Sequence, residues 1–474
     1  MATTNSTTIL GSSVIGRNSD DVKFQGIPLR LAHCKIVFEL FDISSTLRTS
    51  EVLPEIKIII NNLEVYTGRG VVTSLVNVGT SLVCEARLDE QSFSFESLSS
   101  QSNGKSTNRF SVFLREWQKV YRVMPEFKVA VADMQTFLTD LRIWSDHVAL
   151  EVAAAKPKTS VQTERQVVEE LSQSMIPAFN AIHERLEEVS AKIDVDSRPV
   201  HQNFTARLLH PLVLCSPFAS RTFQKPLGYA GDYEMVNMIV RDPFEGSSPF
   251  AKTLNAWFLD QWPAKAHRNR IVHLKRRLRE ECARGEREGR QIRILNLGCG
   301  PAREIQEFLA EDALSDYANF TLLDFNDETV QYTSDILNNL KQRHSRKTKM
   351  EIKRKSVHQV LKEGGRENSL PDERKYDYIY CAGLFDYLSD RTCKQLMEVF
   401  YGWLANGGLL TATNVDDCRP FRHMLEFILD WHLIYRDAKK GATLLPEASS
   451  PEWAHIEKDS TEVNVFIETR KPVL

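Results

Sequence analysis

The chain is predicted to be an α/β protein. A doubly wound, mostly parallel sheet fills its C-terminal part, preceded by a helical region and a small N-terminal β-barrel. Three observations carry this. From residue 291 short apolar runs alternate with helical stretches, the pattern of repeated βα units. Residues 30–90 hold short β-branched or apolar runs separated by polar turn signals such as Asn61-Asn62, which suits a small barrel or sandwich. From Phe110 the period becomes helical, with Phe113, Trp117, Val120 and Tyr121, then Met134, Phe137, Leu138 and Leu141, recurring at three- and four-residue steps.

Taken in order, residues 1–20 are rich in Ser, Thr, Asn and Gly and are expected to be a disordered tail. The barrel is expected over 21–97, with strands at Lys35–Leu40, Glu55–Ile60, Leu63–Tyr66, Gly70–Leu75 and Ser81–Leu88. A polar linker over 98–108 leads to a helical region over 110–195, interrupted by a second linker at 156–160. Residues 196–290 are read as a helical segment on the substrate side, with one helix over Ala251–Glu288. In 291–474, strands are expected at Arg293–Leu297, Thr321–Asp324, Tyr376–Cys381, Gly408–Thr413 and Val463–Glu468. Helices are expected at Arg303–Glu311, Glu328–Arg343, Arg391–Ala405 and His423–Leu433.

The 474 residues suit two to three domains. A net charge of −3 gives no basic excess for nucleic acid. The run RRLREECARGEREGR alternates Arg with Glu and reads as a solvated helix face. None of the 8 cysteines forms a CxxC pair, so no metal site is expected, and free thiols fit a reducing cytoplasm. The N-terminus lacks the features of a signal peptide, and no apolar run reaches the ~20 residues of a membrane span. A cytoplasmic protein without a transmembrane segment is expected.

Ile294-Leu-Asn-Leu-Gly298-Cys299-Gly300-Pro-Ala302-Arg303 sits between a strand and a helix. Glycines there permit a tight turn and close approach to a ligand, at the switch point of a doubly wound sheet. The next strand ends in Asp324, 26 residues beyond Gly298, followed by Phe325 and Asn326. A carboxylate there can accept both hydroxyls of a ribose. A dinucleotide is the natural rival, but the loop reads G-x-G-x-A and lacks the third glycine of the pyrophosphate turn.

LNLGCGPAREI resembles motif I of class I S-adenosylmethionine-dependent methyltransferases, over roughly residues 291–470. The resemblance implies a Rossmann-like domain with S-adenosylmethionine as cofactor. Asn296 and Ala302 stand where that family often has an acid and a glycine; backbone carbonyls near Gly298 would then receive the methionine ammonium. It further implies that Asp324 holds the ribose, that Phe325 and Asn326 lie near the adenine and that Ser356 and Val357 flank its edge. Cys381, Ala382, Gly383 and Phe385 would line the methionine side.

Four further segments carry unusual side chains: Arg221–Met235, Ala266–Ile271, Phe385–Asp390 and Pro420–Glu426 with Trp431, His432 and Tyr435. Two glycines, two tyrosines and an Asp in the first suit a loop that closes over a ligand. Plainer readings stand beside this one. Tyr229 and Tyr233 are equally half-buried aromatics, and His267 and His423 structural histidines. Arg221 could pair with Asp232 or Glu234, and Met235, Met238 and Ile239 read as core. KPLGYAGDYEMVN, YCAGLFDYLSDR and PFRHMLEFILDWHLIYR resemble a bacterial family of extracellular factor 3-hydroxypalmitic acid methyl ester biosynthesis. That resemblance implies a methyltransferase esterifying the carboxylate of a 3-hydroxy fatty acid, free or carrier-bound, to a methyl ester used in quorum sensing.

A carboxylate is already ionised at neutral pH, so alignment and desolvation would supply the rate. Candidates for the catalytic side chains are Tyr229, His267, Asp386, His423 and Tyr435, with Arg268 and Arg270 as further anchors for the non-attacking oxygen. A hydroxyl or amine acceptor would instead need a base, for which Asp386 and His423 are candidates. An apolar channel for an acyl chain could come from Phe385, Leu388, Phe421, Met424, Phe427, Ile428 and Trp431, though a helix core explains the 421–431 set equally well. The alternative is another small molecule or a protein as acceptor.

Residues 28–90 faintly resemble a PilZ-like barrel. Cys34 replaces the second Arg of the RxxxR stretch begun by Arg30, and Asp42-Ile-Ser44-Ser-Thr-Leu47 lacks the final Gly. The resemblance raises a cyclic-di-GMP-responsive regulatory role as a rival function. Docking or homodimerisation through the helices of 110–190 is the plainer alternative.

Overall fold

The structure is a computed structural model of the chain. It describes residues 12–19, 23–32, 35–40, 47, 51–60, 63–77, 82–89, 123–154, 160–366 and 370–473. Residues 1–11, Cys34, residues 42–46, Asn61-Asn62, the linkers at 98–108 and 156–159 and the expected helix over 110–122 lie outside them. Two compact units form: Met1–Val129 with Ile193–His210, and Ala130–Lys192 with Pro211–Leu474.

The first unit contains strands β1 (Ser13–Arg17), β2 (Lys23–Ala32), β3 (Lys35–Leu40), β4 (Val52–Ile60), β5 (Leu63–Asn77) and β6 (Leu82–Leu88). They close antiparallel in the order β1-β2-β3-β6-β5-β4, which leaves no free sheet edge. Alternation puts Ile36, Phe38 and Leu40 of β3 inside against Ile56, Ile58, Tyr66, Cys84 and Ala86. β1 corrects the reading of 1–20 as wholly disordered: its five residues pair with β4 and four of them also with β2, and Val14 is buried. The two strands expected over 63–75 are one, because Gly68 and Gly70 stay in register with Ile56 and Leu53 rather than turning.

The helices are α1 (Pro125–Ala154), α2 (Ser160–Ser190), α3 (Arg198–Val213), α4 (Pro217–Gln224), α5 (Tyr233–Val240), α6 (Pro249–Asp260) and α7 (Trp262–Glu288). The single helix expected over 251–288 is two. Gln261 takes an extended conformation between α6 and α7, and Pro263 opens the latter. No helix among the described residues is long and apolar enough to cross a membrane.

The second unit holds a seven-stranded sheet: β7 (Ile292–Leu297), β8 (Ala318–Asp324), β9 (Lys349–Arg354), β10 (Tyr376–Cys381), β11 (Leu404–Val415), β12 (Ala454–Lys458) and β13 (Asn464–Arg470), ordered β12-β13-β11-β10-β7-β8-β9. The sheet is mixed: β13 runs antiparallel to both neighbours, whereas β7 to β11 are parallel. Helices α8 (Arg303–Glu311), α9 (Asp327–Arg343), α10 (Val357–Arg366), α11 (Asp390–Trp403) and the short α12 (Ala438–Ala442) complete it. The strands are apolar on both faces. Ile292, Ile294, Phe320, Tyr378 and Tyr380 join α7, α8 and α9 in one core. Leu295, Leu297, Ile379 and Cys381 join α10 and α11 in the other.

The helix expected over 423–433 is only a π-turn, Met424–Ile428. Glu187 of α2 accepts the backbone amides of His423 (3.0 Å) and Met424 (2.7 Å) and so caps the start of this turn. Beyond Asp430, which has a left-handed φ of 49°, the chain has no regular secondary structure until α12.

Candidate functional site

Chain order reverses about β7, which lies between β8 and β10, so a crevice opens at the carboxyl ends of these strands. A cavity of about 360 Å³ occupies it. Its floor is the glycine loop. Gly298 and Gly300 have φ of 71° and 51°, and Ala302 is left-handed at 51° just ahead of α8. The amides of Gly298 and Cys299 donate to the Leu323 carbonyl at 2.8 and 3.1 Å, and that of Gly300 to Asp324 Oδ2 at 3.1 Å. Asp324 Oδ1 accepts the Asn326 amide at 3.1 Å. Burial raises the pKa of Asp324, while these amides pull the other way. With its amides engaged by the protein, the loop is not an anion nest for a pyrophosphate.

Of the residues expected to bind a cofactor, Gly298, Cys299, Gly300, Asp324, Phe325, Val357, Ala382 and Gly383 line the cavity. Ser356, Asn326, Cys381 and Phe385 do not. Asn326 caps α9 by accepting the Thr329 amide at 2.9 Å. Ser356 accepts the Gln359 amide at the start of α10. Cys381 and Phe385 alternate away into the core beneath the sheet.

An acidic side chain from the next helix lies beside Asn296. Glu304, in the first turn of α8, lines the cavity, accepts from Tyr380 Oη at 2.7 Å and lies 3.4 Å from Asn296 Nδ2. Burial raises its pKa. Asn296 Oδ1 is buried without a hydrogen-bond partner. It is an acceptor at the cavity wall, suited to an ammonium donor.

On the acceptor side, α7 presents His267 and Arg270, and the turn after β10 presents Asp386 and Tyr387. An Arg270 Nη2 donates to the His267 ring at 2.9 Å. Burial, then the Arg270 and Arg268 charges, holds the pKa of His267 well below its ordinary value. A Cβ on Gly383 would lie 2.8 Å from Arg270 Nη2; glycine lets the guanidinium lie against the strand end. Arg270 has no carboxylate at ion-pair distance among the described residues. Asp386 Oδ1 accepts the Val415 amide at 2.7 Å, and burial raises its carboxyl to about 6. Arg436, 1% exposed, shapes this turn by donating to the carbonyls of Phe385 and Leu388 and to Asn414 Oδ1.

Tyr229 also lines the cavity, its ring centroid 5.1 Å from that of Phe325, and burial raises its hydroxyl to about 12. His423 and Tyr435 are not in the lining. His423 Nδ1 sits 2.9 Å from Glu187 Oε2, and Tyr435 packs against Phe421 and under Arg422. Arg268 donates to the Ile239 and Leu259 carbonyls instead of facing the cavity. Arg221 pairs with Asp232. Of the expected apolar channel only Met424 and Trp431 reach the cavity; Leu388, Phe421, Phe427 and Ile428, like Phe385, do not. Its apolar wall comes from α4 to α7, through Phe218, Met235, Ile239, Phe258 and Leu274. Met235 and Ile239 are as buried as core residues, but they are buried against a cavity.

His273, Glu457 and Glu468 bring three ligand-type atoms within 4.8 Å of one another. Arg277 also engages both oxygens of Glu468, and Thr411 donates to one. The cluster is an ion-pair network tying α7 to β12 and β13.

Residues 228–354, about a quarter of the chain, match a family model described as "Putative methyltransferase". This span contains Tyr229, Arg270, the glycine loop and Asp324. The seven-stranded mixed sheet with flanking helices is an α/β arrangement in its own right. No curated protein matches the sequence. Among solved structures, a "possible exported protein" from Bordetella parapertussis is similar at 15% identity and a TM-score of 0.40, covering 68% of this chain and 100% of that one. The N-methyltransferase NodS from Bradyrhizobium japonicum, in complex with S-adenosyl-L-homocysteine, is similar at 17% identity and a TM-score of 0.31, covering 53% and 99%. Magnesium protoporphyrin IX methyltransferase from Synechocystis, with the same ligand, is similar at 10% identity and a TM-score of 0.31, covering 44% and 87%. At such scores the topology of this chain rests on its own strand order.

Proposed function

We propose that this chain is an S-adenosylmethionine-dependent O-methyltransferase that esterifies the carboxylate of a 3-hydroxy fatty acid. The observation that carries the acceptor is Arg270: a guanidinium in the cavity wall with no carboxylate at ion-pair distance among the described residues, close to the apolar surface of α4 to α7. Such a cation favours an anionic group, and the apolar wall favours a hydrocarbon chain.

The residues present fit the cofactor. Asp324 offers a carboxylate at the ribose position, and the orphan Asn296 Oδ1 with Glu304 offers acceptors for the ammonium. The engaged loop amides disfavour a pyrophosphate-bearing rival. When bound, S-adenosylmethionine supplies an electrophilic methyl group. Arg270 holds one carboxylate oxygen of the acceptor, leaving the other free for in-line attack. His267, fixed by Arg270 and held well below its ordinary pKa, adds no competing charge. The apolar wall excludes water from the nucleophile.

Incubating the protein with S-adenosylmethionine and 3-hydroxy fatty acids should give methyl esters by mass spectrometry. No ester at any chain length would refute the acceptor. A second reading rests on Asp386, whose carboxyl, raised to about 6, suits a general base for a hydroxyl or amine acceptor. Product analysis with those acceptors separates the two.

A further inference from the structure

Two segments that line the cavity begin at residues with the same unusual backbone. Lys225, at the end of α4, and Asp430, after the π-turn, both have φ of 49°. Neither is glycine, so each holds a conformation that costs energy unless its surroundings impose it. Both are the left-handed ends of helical turns, closed by Lys225 N–H to Arg221 O and by Trp431 N–H to Leu425 O, and the two turn ends are tied together: Lys225 Nζ donates to the Asp430 carbonyl at 2.6 Å and to its Oδ2 at 2.7 Å. Downstream of Lys225, Tyr229, Gly231 and Tyr233 line the cavity; downstream of Asp430, Trp431 and Leu433 do. The two segments meet again further along. A Cβ on Gly231 would lie 2.7 Å from Tyr387 Oη and 3.7 Å from Trp431, and Trp431 Nε1 donates to that hydroxyl at 2.9 Å. The far end of the first segment is fixed by Asp232, which pairs with Arg221 and caps α5.

We propose that Lys225 and Asp430 form a latch holding the Lys225–Tyr233 segment over the cavity, and that ligands enter and leave when the two segments part. Lys225 is thus a positioning residue, acting through Tyr229 and Gly231 and touching no ligand itself. The proposal rests on the cavity being the ligand site, as the proposed function has it.

Amide hydrogen exchange on the full, ligand-free chain tests the latch without any ligand. Lys225→Met should raise exchange in peptides spanning 226–233 and 429–434 about tenfold, with the sheet unchanged. Asp430→Gly, which suits the left-handed backbone, should do the same while sparing the fold; Lys225→Arg should restore protection. Unchanged exchange in folded Lys225→Met and Asp430→Gly protein would overturn the latch. Stopped-flow release of S-adenosylhomocysteine should accelerate in the same order, and equal release rates in all variants would also overturn it. Failure of the wild-type protein to bind S-adenosylhomocysteine would instead refute the proposed function, leaving the exchange result to judge the latch.

Discussion

Asp324 Oδ2 accepts the Gly300 amide at 3.1 Å, so the carboxylate at the end of β8 also fixes the glycine loop after β7. Asp324→Ala should therefore weaken S-adenosylmethionine binding twice over, through lost ligand bonds and a loosened loop. The expected loss is about 2–4 kcal/mol, read by titration calorimetry. Unchanged affinity would undo the cofactor assignment.

Glu187 is the buried hub between α2 and the π-turn, facing His183, His423 and two backbone amides. Though burial alone would raise its pKa, the two histidines and the amide hold it down at about 2. Its stabilisation is present above the ordinary carboxylate range and lost as pH falls towards 2. Glu187→Ala should cost about 3–5 kcal/mol in denaturant unfolding at neutral pH. A cost under ~1 kcal/mol would show that the hub is not structural.

Asp386 carries the opposite sign. Its carboxyl is raised to about 6, so its ionisation disfavours the fold as pH climbs from about 4 to about 6. Asp386→Asn keeps an acceptor for the Val415 amide. It should stabilise the protein at pH 8 by up to about 3 kcal/mol, with no gain near pH 3. Turnover should stay within about tenfold for a carboxylate acceptor; a fall of about 10²-fold or more would favour the general-base reading.

Arg270→Met should raise KM for a fatty-acid acceptor about 100-fold, as expected for a lost charge-assisted pair. S-Adenosylmethionine affinity should change far less. Equal losses for both ligands would move Arg270 to the cofactor side.

Ala302 spends conformational energy in the left-handed region while its methyl packs in the core at 1% exposure. Ala302→Gly should thus be close to neutral, within about 1 kcal/mol, because relieved strain offsets the lost methyl contact. Thermal unfolding checks this; a loss above about 2 kcal/mol would show that packing dominates.

What the sequence by itself determined is what short-range chemistry encodes. The apolar runs of β7, β8 and β10, the glycine loop at Gly298 and Gly300 and the carboxylate at Asp324 are all legible within a few residues, because strand burial and a left-handed turn constrain residue types locally. The break expected between Tyr66 and Gly70 is not there: pairing of Gly68 and Gly70 with β4 keeps the segment one strand. The tertiary structure decided which side chains share the cavity. Glu304 comes to lie beside Asn296 in the cavity wall, where Tyr380, 76 residues on, donates its hydroxyl to it. His423 looked like a base until Glu187, 236 residues earlier, claimed it. Arg270 makes no ion pair at contact distance among the described residues, with Asp386 and Glu304 its nearest electrostatic partners across the cavity. Each outcome depends on which distant group arrives to satisfy a buried charge, and sequence spacing carries no record of that.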